Sequence, residues 1–299
     1  MWKFGKLQKT FSIGEVNVGG SPGEHPTVLV GTIFYHGHKI VSDEKKGDFD
    51  RKKAEELIRL QEDYSGKTGN PHVIDVVGST PEAMERYIDF VAKVTDAPIS
   101  MDGVASSVRI AGLEYVRQSG LADRIIYNSI TPEFKEEELE KIKDAKVKSA
   151  FLLAFNTKDF TSAGRISAIE SLLPQVAEAG IEMPLIDTCV LDIPSLGMAC
   201  RALFELKDKY GLPVGCGAHN AVGSWRGLKQ KMGEKAKEPC MAAASVMSVV
   251  VGADFVLYGP IGAASYMFPA VALVDAAYAQ LAIEQGKMPD RTHPIFRIA

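Results

Sequence analysis

Short apolar runs alternate with amphipathic stretches along almost the whole chain, and this alternation limits the possible folds more than any other feature. Eight runs have the length and the β-branched content of buried strands: 27–34, 72–78, 97–102, 124–129, 148–156, 183–188, 212–217 and 254–259. The stretches between them place apolar residues three and four positions apart, as in helices with one buried face. Eight alternating strands and helices close into a barrel. The sequence therefore predicts an α/β fold with a single (β/α)8 TIM barrel.

The segment before the first run has a different pattern. Residues 9–20, KTFSIGEVNVGG, alternate apolar and polar side chains around Gly14, which predicts a β-hairpin. We expect residues 1–25 to form a hairpin that caps the lower end of the barrel, and residues 26–299 to form the barrel domain. An open doubly wound sheet is the alternative, but the glycine-rich phosphate loops typical of that class are missing from the sequence.

Composition narrows the functional classes. The chain is 46% hydrophobic and 24% charged with a formal net charge of −4, so we expect no nucleic-acid partner, which would require a clustered basic surface. The first residues lack the apolar core of a signal peptide, and no run of 18 apolar residues occurs, which predicts a cytoplasmic protein without membrane insertion. The 4 cysteines have neither zinc-site nor disulfide-frame spacing and are interpreted as reduced thiols.

Polar residues follow most of the predicted strands, where TIM barrels build their active sites. For any one of them a loop or cap role is equally plausible. Four end strands whose preceding residues are apolar: Asp102, Asn128, Asp187 and Asn220. Carboxylates and amides suit a flat heterocycle such as a pterin, whose amino group and adjacent N–H are donors that one carboxylate accepts. The full set at strand ends is His36, His38, Asp75, Asp102, Asn128, Asn156, Asp187, His219, Asn220 and Tyr258.

A metal site is the competing interpretation. His36 and His38 resemble the H-x-H that opens zinc amidohydrolase barrels. That family also needs histidines after strands five and six and an aspartate after strand eight, where this chain has Asn156, Asp187 and Tyr258. We therefore expect no metal.

Several longer segments resemble one known family. They include GGSPGEHPTVLVGTIFY, TPEAMERYIDFVAKVTDAP, GLADRIIYNSI, PLIDT, YGLPVGCGAHN and VVGADFVLYGPIG, and with their neighbours they extend from about residue 18 to residue 272. The family comprises the H subunit of tetrahydromethanopterin S-methyltransferase and its soluble bacterial relatives, the methylcorrinoid:tetrahydrofolate methyltransferases. The resemblance implies a pterin-binding barrel.

The resemblance also implies roles for particular residues. Asp102, Asn128 and Asp187 fall where such barrels hold the pterin ring, and Asn220 falls where a side-chain amide approaches N5 as the catalytic group. Asn156 and His219 complete the predicted cofactor-binding set at the same strand ends. A purely structural alternative for Asn220 is the N-cap of a helix beginning near Val222.

The implied reaction is methyl transfer between a methylated corrinoid protein and N5 of tetrahydrofolate, by in-line displacement with Co(I) as leaving group. A partner protein is expected to carry the corrinoid, because the D-x-H-x-x-G loop of corrinoid domains is not found in this sequence. We favour a soluble enzyme of glycine betaine-type demethylation. The alternatives are tetrahydromethanopterin as the pterin, a dihydropteroate synthase-like enzyme, and a non-catalytic pterin-binding subunit. A homodimer is expected, since the last two long helices carry more apolar residues than one face can bury.

Overall fold

The computed structural model describes residues 3–298 and contains a closed parallel barrel. All eight predicted runs are strands of that barrel, so the TIM-barrel prediction is confirmed. In chain order the strands are β1 (Thr10–Ile13), β2 (Val16–Gly19), β3 (Val28–Ile33), β4 (Val41–Asp43), β5 (Asp48–Phe49), β6 (His72–Gly78), β7 (Ile99–Gly103), β8 (Ile125–Ile130), β9 (Ser149–Leu153), β10 (Met183–Asp187), β11 (Val214–Cys216) and β12 (Phe255–Pro260). The barrel comprises β3 and β6 to β12, and β12 pairs with β3 to close it.

Helices follow the barrel strands and form the outer layer. They are α1 (Arg51–Thr68), α2 (Pro81–Val94), α3 (Ser106–Ser119), α4 (Glu136–Asp144), α5 (Ser162–Glu178), α6 (Ile193–Tyr210), the short α7 (His219–Gly223) and α8 (Leu228–Met232), α9 (Lys237–Val250) and α10 (Ala264–Glu284). Gly69, Gly120 and Gly211 end α1, α3 and α6 in the left-handed conformation, which glycine adopts without a Cβ penalty.

The lower half of the barrel interior is apolar and is closed by the hairpin of β1 and β2. Ile13 and Val18 belong to one buried cluster with side chains of the barrel strands, namely Val28, Val30, Val73, Ile126, Phe151, Leu185, Phe255 and Leu257. A cavity of about 10 Å³ remains among them, which is about the space that one water molecule needs. The predicted hairpin is therefore present at the predicted end. The domain boundary at residue 25 stays a prediction.

The upper half of the interior is polar. Side chains alternate across a strand, so residues two positions beyond the apolar cluster face the same interior. This rule places Thr32, Asp75, Asn128, Leu153, Asp187 and Gly259 in the next layer, below the C-terminal ends of the strands. The C-terminal ends of the eight barrel strands, with the residues that directly follow them, are together called the mouth. Four of the six residues in this layer are polar, so the layer can bind a polar ligand.

One helix qualifies the expectation about apolar runs. The stretch Ile261–Glu284 contains an 18-residue window of mean hydropathy 1.4, which by length and composition alone is enough to cross a membrane. Its buried face nevertheless packs within the outer layer, where α10 contacts α1 and α9. Asp275 lies on that face and accepts hydrogen bonds from Thr27 and Asn70. In this packing 39% of the window is buried inside the fold.

Candidate active site at the barrel mouth

Asp75 is a buried carboxylate at the base of the mouth. Its Oδ1 accepts hydrogen bonds from Ser100 Oγ at 2.7 Å and Asn128 Nδ2 at 3.1 Å, and its Oδ2 accepts from Thr32 Oγ1 at 2.9 Å. Burial raises the pKa of Asp75, although all three hydrogen bonds act in the opposite direction. The sequence pointed to Asp75 as a strand-end residue but not as the residue that holds Asn128. Its position two residues after Val73 could have indicated this role, because side chains two positions apart on a strand face the same side and Val73 faces the barrel interior.

Asp102 lies one layer above Asp75 and is in register with Asn128 on the next strand. Its carboxyl group accepts no hydrogen bond from residues 3–298 and is only partly exposed. Burial raises its pKa to about 8; the charge of Asp75 adds to this effect and Arg109 opposes it. Arg109 itself is paired with Glu138 at 2.6 Å. Asp102 is therefore a carboxyl group without a hydrogen-bond partner in the described part of the chain, and its raised pKa favours the protonated form at neutral pH.

Asp187 ends β10 on the same interior face. Its Oδ1 accepts a hydrogen bond from the backbone N–H of Cys189 at 2.8 Å. Burial raises the pKa of Asp187 to about 6, while the N–H groups of Cys189 and Gly217 and the charge of Arg165 lower it. At neutral pH this carboxylate is mainly ionised.

Asn220 stands in the first turn of the short helix that follows β11. The helix begins at His219 with Ala218 as its N-cap, so a helix beginning near Val222 with Asn220 as its cap is wrong. The exposed side chain instead donates from Nδ2 to the carbonyl of Val190 at 3.1 Å. Its Oδ1 makes no hydrogen bond with the part of the chain that is described, and it is the free end of the amide.

His219 lies beside Asn220 and is half-buried. Its Nδ1 is 2.9 Å from the carbonyl oxygen of Leu257, which can only accept, so Nδ1 carries the proton. Burial lowers the pKa of His219, and the neutral ring leaves Nε2 as an acceptor. The ring lies against Gly259, where a Cβ would be 2.8 Å from His219 Cδ2 and where φ is +86°. A glycine is therefore required at this position.

Three other predicted residues have local partners away from this group. Asn156 lies beyond the end of β9, and its Oδ1 accepts from the backbone N–H groups of Lys158 and Asp159 within the loop. His36 is exposed and pairs with Glu44 at 2.9 Å. His38 accepts from the backbone N–H of Phe34 at 3.1 Å. In residues 3–298 there is no group of three or more His, Cys, Asp or Glu side chains that could hold a metal ion. A ligand role for Asn156 stays a prediction.

The mouth is rich in hydrogen-bond acceptors. Asn128 uses its Nδ2 on Asp75 and Ser100, and Asn220 uses its Nδ2 on Val190, so both amides offer oxygen to a ligand. Asp187 adds a carboxylate, and Asp102 becomes an acceptor when it ionises. The strand ends Gly217 and Gly259 carry no side chains, which lets the side chains of Asn220 and His219 lie close against the backbone there. This arrangement suits a flat ring whose edge carries several N–H donors, as a reduced pterin does.

Comparison with known proteins agrees with the barrel. The family model described as the tetrahydromethanopterin S-methyltransferase MtrH subunit matches residues 6–289. The chain is 42% identical over 309 residues to the H subunit of tetrahydromethanopterin S-methyltransferase from Methanothermobacter thermautotrophicus and 40% identical over 318 residues to the same subunit from Methanocaldococcus jannaschii, with 100% of each chain covered in both comparisons. Among solved structures, dihydropteroate synthase of Yersinia pestis with a pterine-sulfa conjugate is similar, with a TM-score of 0.63, 13% identity and coverage of 90% of this chain and 99% of that chain. At this identity the structural likeness shows the fold alone.

Proposed function

Because the chain belongs to the family of the tetrahydromethanopterin S-methyltransferase MtrH subunit, we propose that it is a methyltransferase acting on a reduced pterin. The methyl group moves between N5 of the pterin and a corrinoid carried by a partner protein. One observation carries the proposal: the mouth presents two carboxyl groups and two amide oxygens to a ligand, and one of these carboxyls, Asp102, lacks a hydrogen-bond partner among residues 3–298.

The choice of pterin rests on the relatives. The resemblance to the soluble bacterial relatives favours tetrahydrofolate, whereas the curated relatives are named for tetrahydromethanopterin. Both molecules carry the same donor edge, which the mouth would bind in the same way. We therefore propose a tetrahydromethanopterin-type pterin as the substrate, and tetrahydrofolate becomes the alternative that the experiment below compares.

Each residue of the mouth has a defined task in this proposal. Asp102 and Asp187 each accept N–H groups of the ring, and Asn128, held by Asp75, fixes the ring plane with its oxygen. Asn220 is the residue next to N5. In transfer to the pterin, the methyl group would leave cobalt(III), which becomes cobalt(I), as its bond to N5 forms, and the N5 proton would pass to solvent. The free Oδ1 of Asn220 accepts a hydrogen bond from N5–H, and this bond strengthens as N5 becomes positively charged. The corrinoid of the partner supplies the cobalt that exchanges the methyl group.

Two measurements test the proposal. Calorimetry compares tetrahydromethanopterin with tetrahydrofolate, and a single-turnover assay follows methyl transfer from methylcob(III)alamin to the bound pterin. We expect binding of tetrahydromethanopterin and transfer to it. Tighter binding of tetrahydrofolate would reverse the choice of pterin. Binding without transfer would favour a non-catalytic pterin-binding subunit, and affinity for a pterin pyrophosphate would favour a dihydropteroate synthase-like enzyme.

Partners and location complete the proposal. The relatives are named as subunits, which supports the action of this chain together with other proteins. We propose a corrinoid protein that docks at the mouth, a homodimer formed through the outer faces of α9 and α10, and a cytoplasmic location.

A further inference from the structure

Arg165 is a buried residue of α5 and is 3% exposed. Its guanidinium donates only to backbone carbonyls. Nε donates to Thr188 at 2.9 Å and Nη2 donates to Cys189 at 2.9 Å, while Nη1 donates to Phe160 and Thr161 in the preceding loop. Within residues 3–298 it has no carboxylate partner within 4 Å. Burying a charge without a counter-charge is costly, so a structural benefit must offset it.

The carbonyls of Thr188 and Cys189 belong to a strap, residues 188–190, which follows β10. The N–H of Cys189 donates to Asp187 Oδ1 at 2.8 Å, and the carbonyl of Val190 accepts from Asn220 Nδ2 at 3.1 Å. The strap therefore touches both the carboxylate that ends β10 and the amide that follows β11. A shift of the strap moves both of them.

The middle residue of the strap has an unfavourable backbone conformation. Cys189 has φ of +55°, in the left-handed region that residues with a Cβ rarely adopt. Such a conformation is strained and persists only when its surroundings hold it there. Two groups hold it: the carbonyl of Cys189 accepts from both Nε and Nη2 of Arg165, and its N–H donates to Asp187.

We propose that Arg165 is a positioning residue that sets Asp187 and Asn220 together through the strap, so that one buried guanidinium couples pterin affinity to the rate of methyl transfer. The inference rests on the proposed function. Arg165 acts through the backbone of residues 188–190 and does not touch the ligand.

The charge of Arg165 should also affect the pH dependence of pterin binding. The positive charge of Arg165 lowers the pKa of Asp187, while the nearby carboxylate of Asp75 raises it; Cys189 and Cys216 are the other titratable groups close to Asp187. Loss of the guanidinium charge leaves the opposing influences in place, so the pKa of Asp187 rises. Since the ionised carboxylate binds the ring, pterin affinity should then be lost at a higher pH than in the wild type.

The test uses two substitutions and a matched control. Arg165→Gln removes both the positive charge and the paired N–H donors of the guanidinium, whereas Arg165→Lys keeps the positive charge but not the paired donors. Arg124→Gln is the control, because Arg124 also donates to two carbonyls, those of Thr95 and Ala97, but lies at the opposite end of the barrel. For each variant we measure the tetrahydromethanopterin Kd against pH, the single-turnover rate at saturating pterin and the melting temperature.

We expect Arg165→Gln to weaken binding and to slow transfer, each by roughly tenfold to a hundredfold, and to move the lower of the two pH midpoints of binding, that of Asp187 and not that of Asp102, upward by about half a unit. Arg165→Lys should keep the midpoint but lose rate, and Arg124→Gln should change only the melting temperature. Arg165→Lys in an Asn220→Ala background should cause no further loss of rate, which keeps the test valid if Arg165→Gln does not fold. Normal affinity and rate in the Arg165 variants would overturn the inference. A wild type that neither binds nor methylates the pterin would instead overturn the proposed function.

Discussion

At the scale of single residues, Asp102 should link ligand binding to a proton. Its pKa of about 8 means that the free protein holds it mainly protonated at pH 7, whereas N–H donors of a pterin favour the ionised form. Binding at pH 7 should therefore release close to one proton, and affinity should rise with pH up to about 8. Calorimetry in buffers of different ionisation enthalpy measures the release. Asp102→Asn should abolish it, and an unchanged release would assign the proton to another group.

The same carboxyl should also affect stability. The pKa of this carboxyl is about 8 in the folded state and about 4 in the unfolded state. As pH rises from about 4 to about 8, ionisation favours the unfolded state, so the free energy of unfolding falls over this range. Without ligand, Asp102→Asn should melt about 2 to 5 °C above the wild type at pH 8, with a smaller difference at pH 5. Melting curves at both pH values check this. A variant that is less stable at pH 8 would mean that the carboxylate has a partner in solution.

Asn220 and Asp187 should separate chemistry from binding. Asn220→Ala should lower the single-turnover rate by roughly ten to a thousandfold and weaken pterin affinity by only a few fold, because the hydrogen bond from N5–H to Asn220 is modest in the bound state and strengthens as N5 becomes positively charged during transfer. Asp187→Ala should weaken affinity by about 2 to 4 kcal/mol, since two ring donors lose their acceptor. A normal rate per folded enzyme in Asn220→Ala, together with a lowered melting temperature, would leave Asn220 with a structural role only.

At the scale of elements, the hairpin of β1 and β2 should contribute stability without contributing to the site. Ile13 is 2% exposed and fills the lower end of the barrel, so Ile13→Ala should destabilise the protein by roughly 2 to 4 kcal/mol. Pterin affinity should be unchanged, because the mouth lies at the opposite end. Urea unfolding and calorimetry measure the two quantities. Ser12→Ala, on the exposed face of the same strand, is the control, and an equal loss there would contradict the packing argument.

The elements were predictable from sequence because their signals are local. Strand runs, helical spacing and C-terminal glycines such as Gly211 depend only on near neighbours in the chain. The site was predictable in part: the strand ends locate Asp102, Asn128 and Asp187. Loop geometry was not, because it depends on tertiary contacts. No local pattern shows that Cys189 takes a positive φ under Arg165. The loop at Asn156 is different, because Asn156 closes it through contacts with residues two and three positions later, a local turn that the sequence interpretation missed.

At the scale of the whole molecule, the outer layer should support a dimer. Leu273 on α10 is 66% exposed and Met247 on the adjacent α9 is 43% exposed. Light scattering should show a dimer for the wild type at micromolar concentration and a monomer for Leu273→Arg, because a charge in a buried apolar contact is costly. Gln280→Arg, on an exposed position of the same helix, should stay dimeric. A wild-type monomer would remove the dimer proposal.

The closure of the barrel by its first residues also has a consequence for the time course of synthesis. Ile13 and Val18 leave the ribosome early, but the cluster that covers them includes Phe255 and Leu257 from the last barrel strand. These residues follow about 240 positions later, which at a typical rate of synthesis is roughly 12 to 50 seconds. During that interval the nascent hairpin presents its apolar face without its final cover. The hairpin is therefore made before most of the strands that cover it, and we expect its apolar side chains to reach their native environment only after β12 has been made.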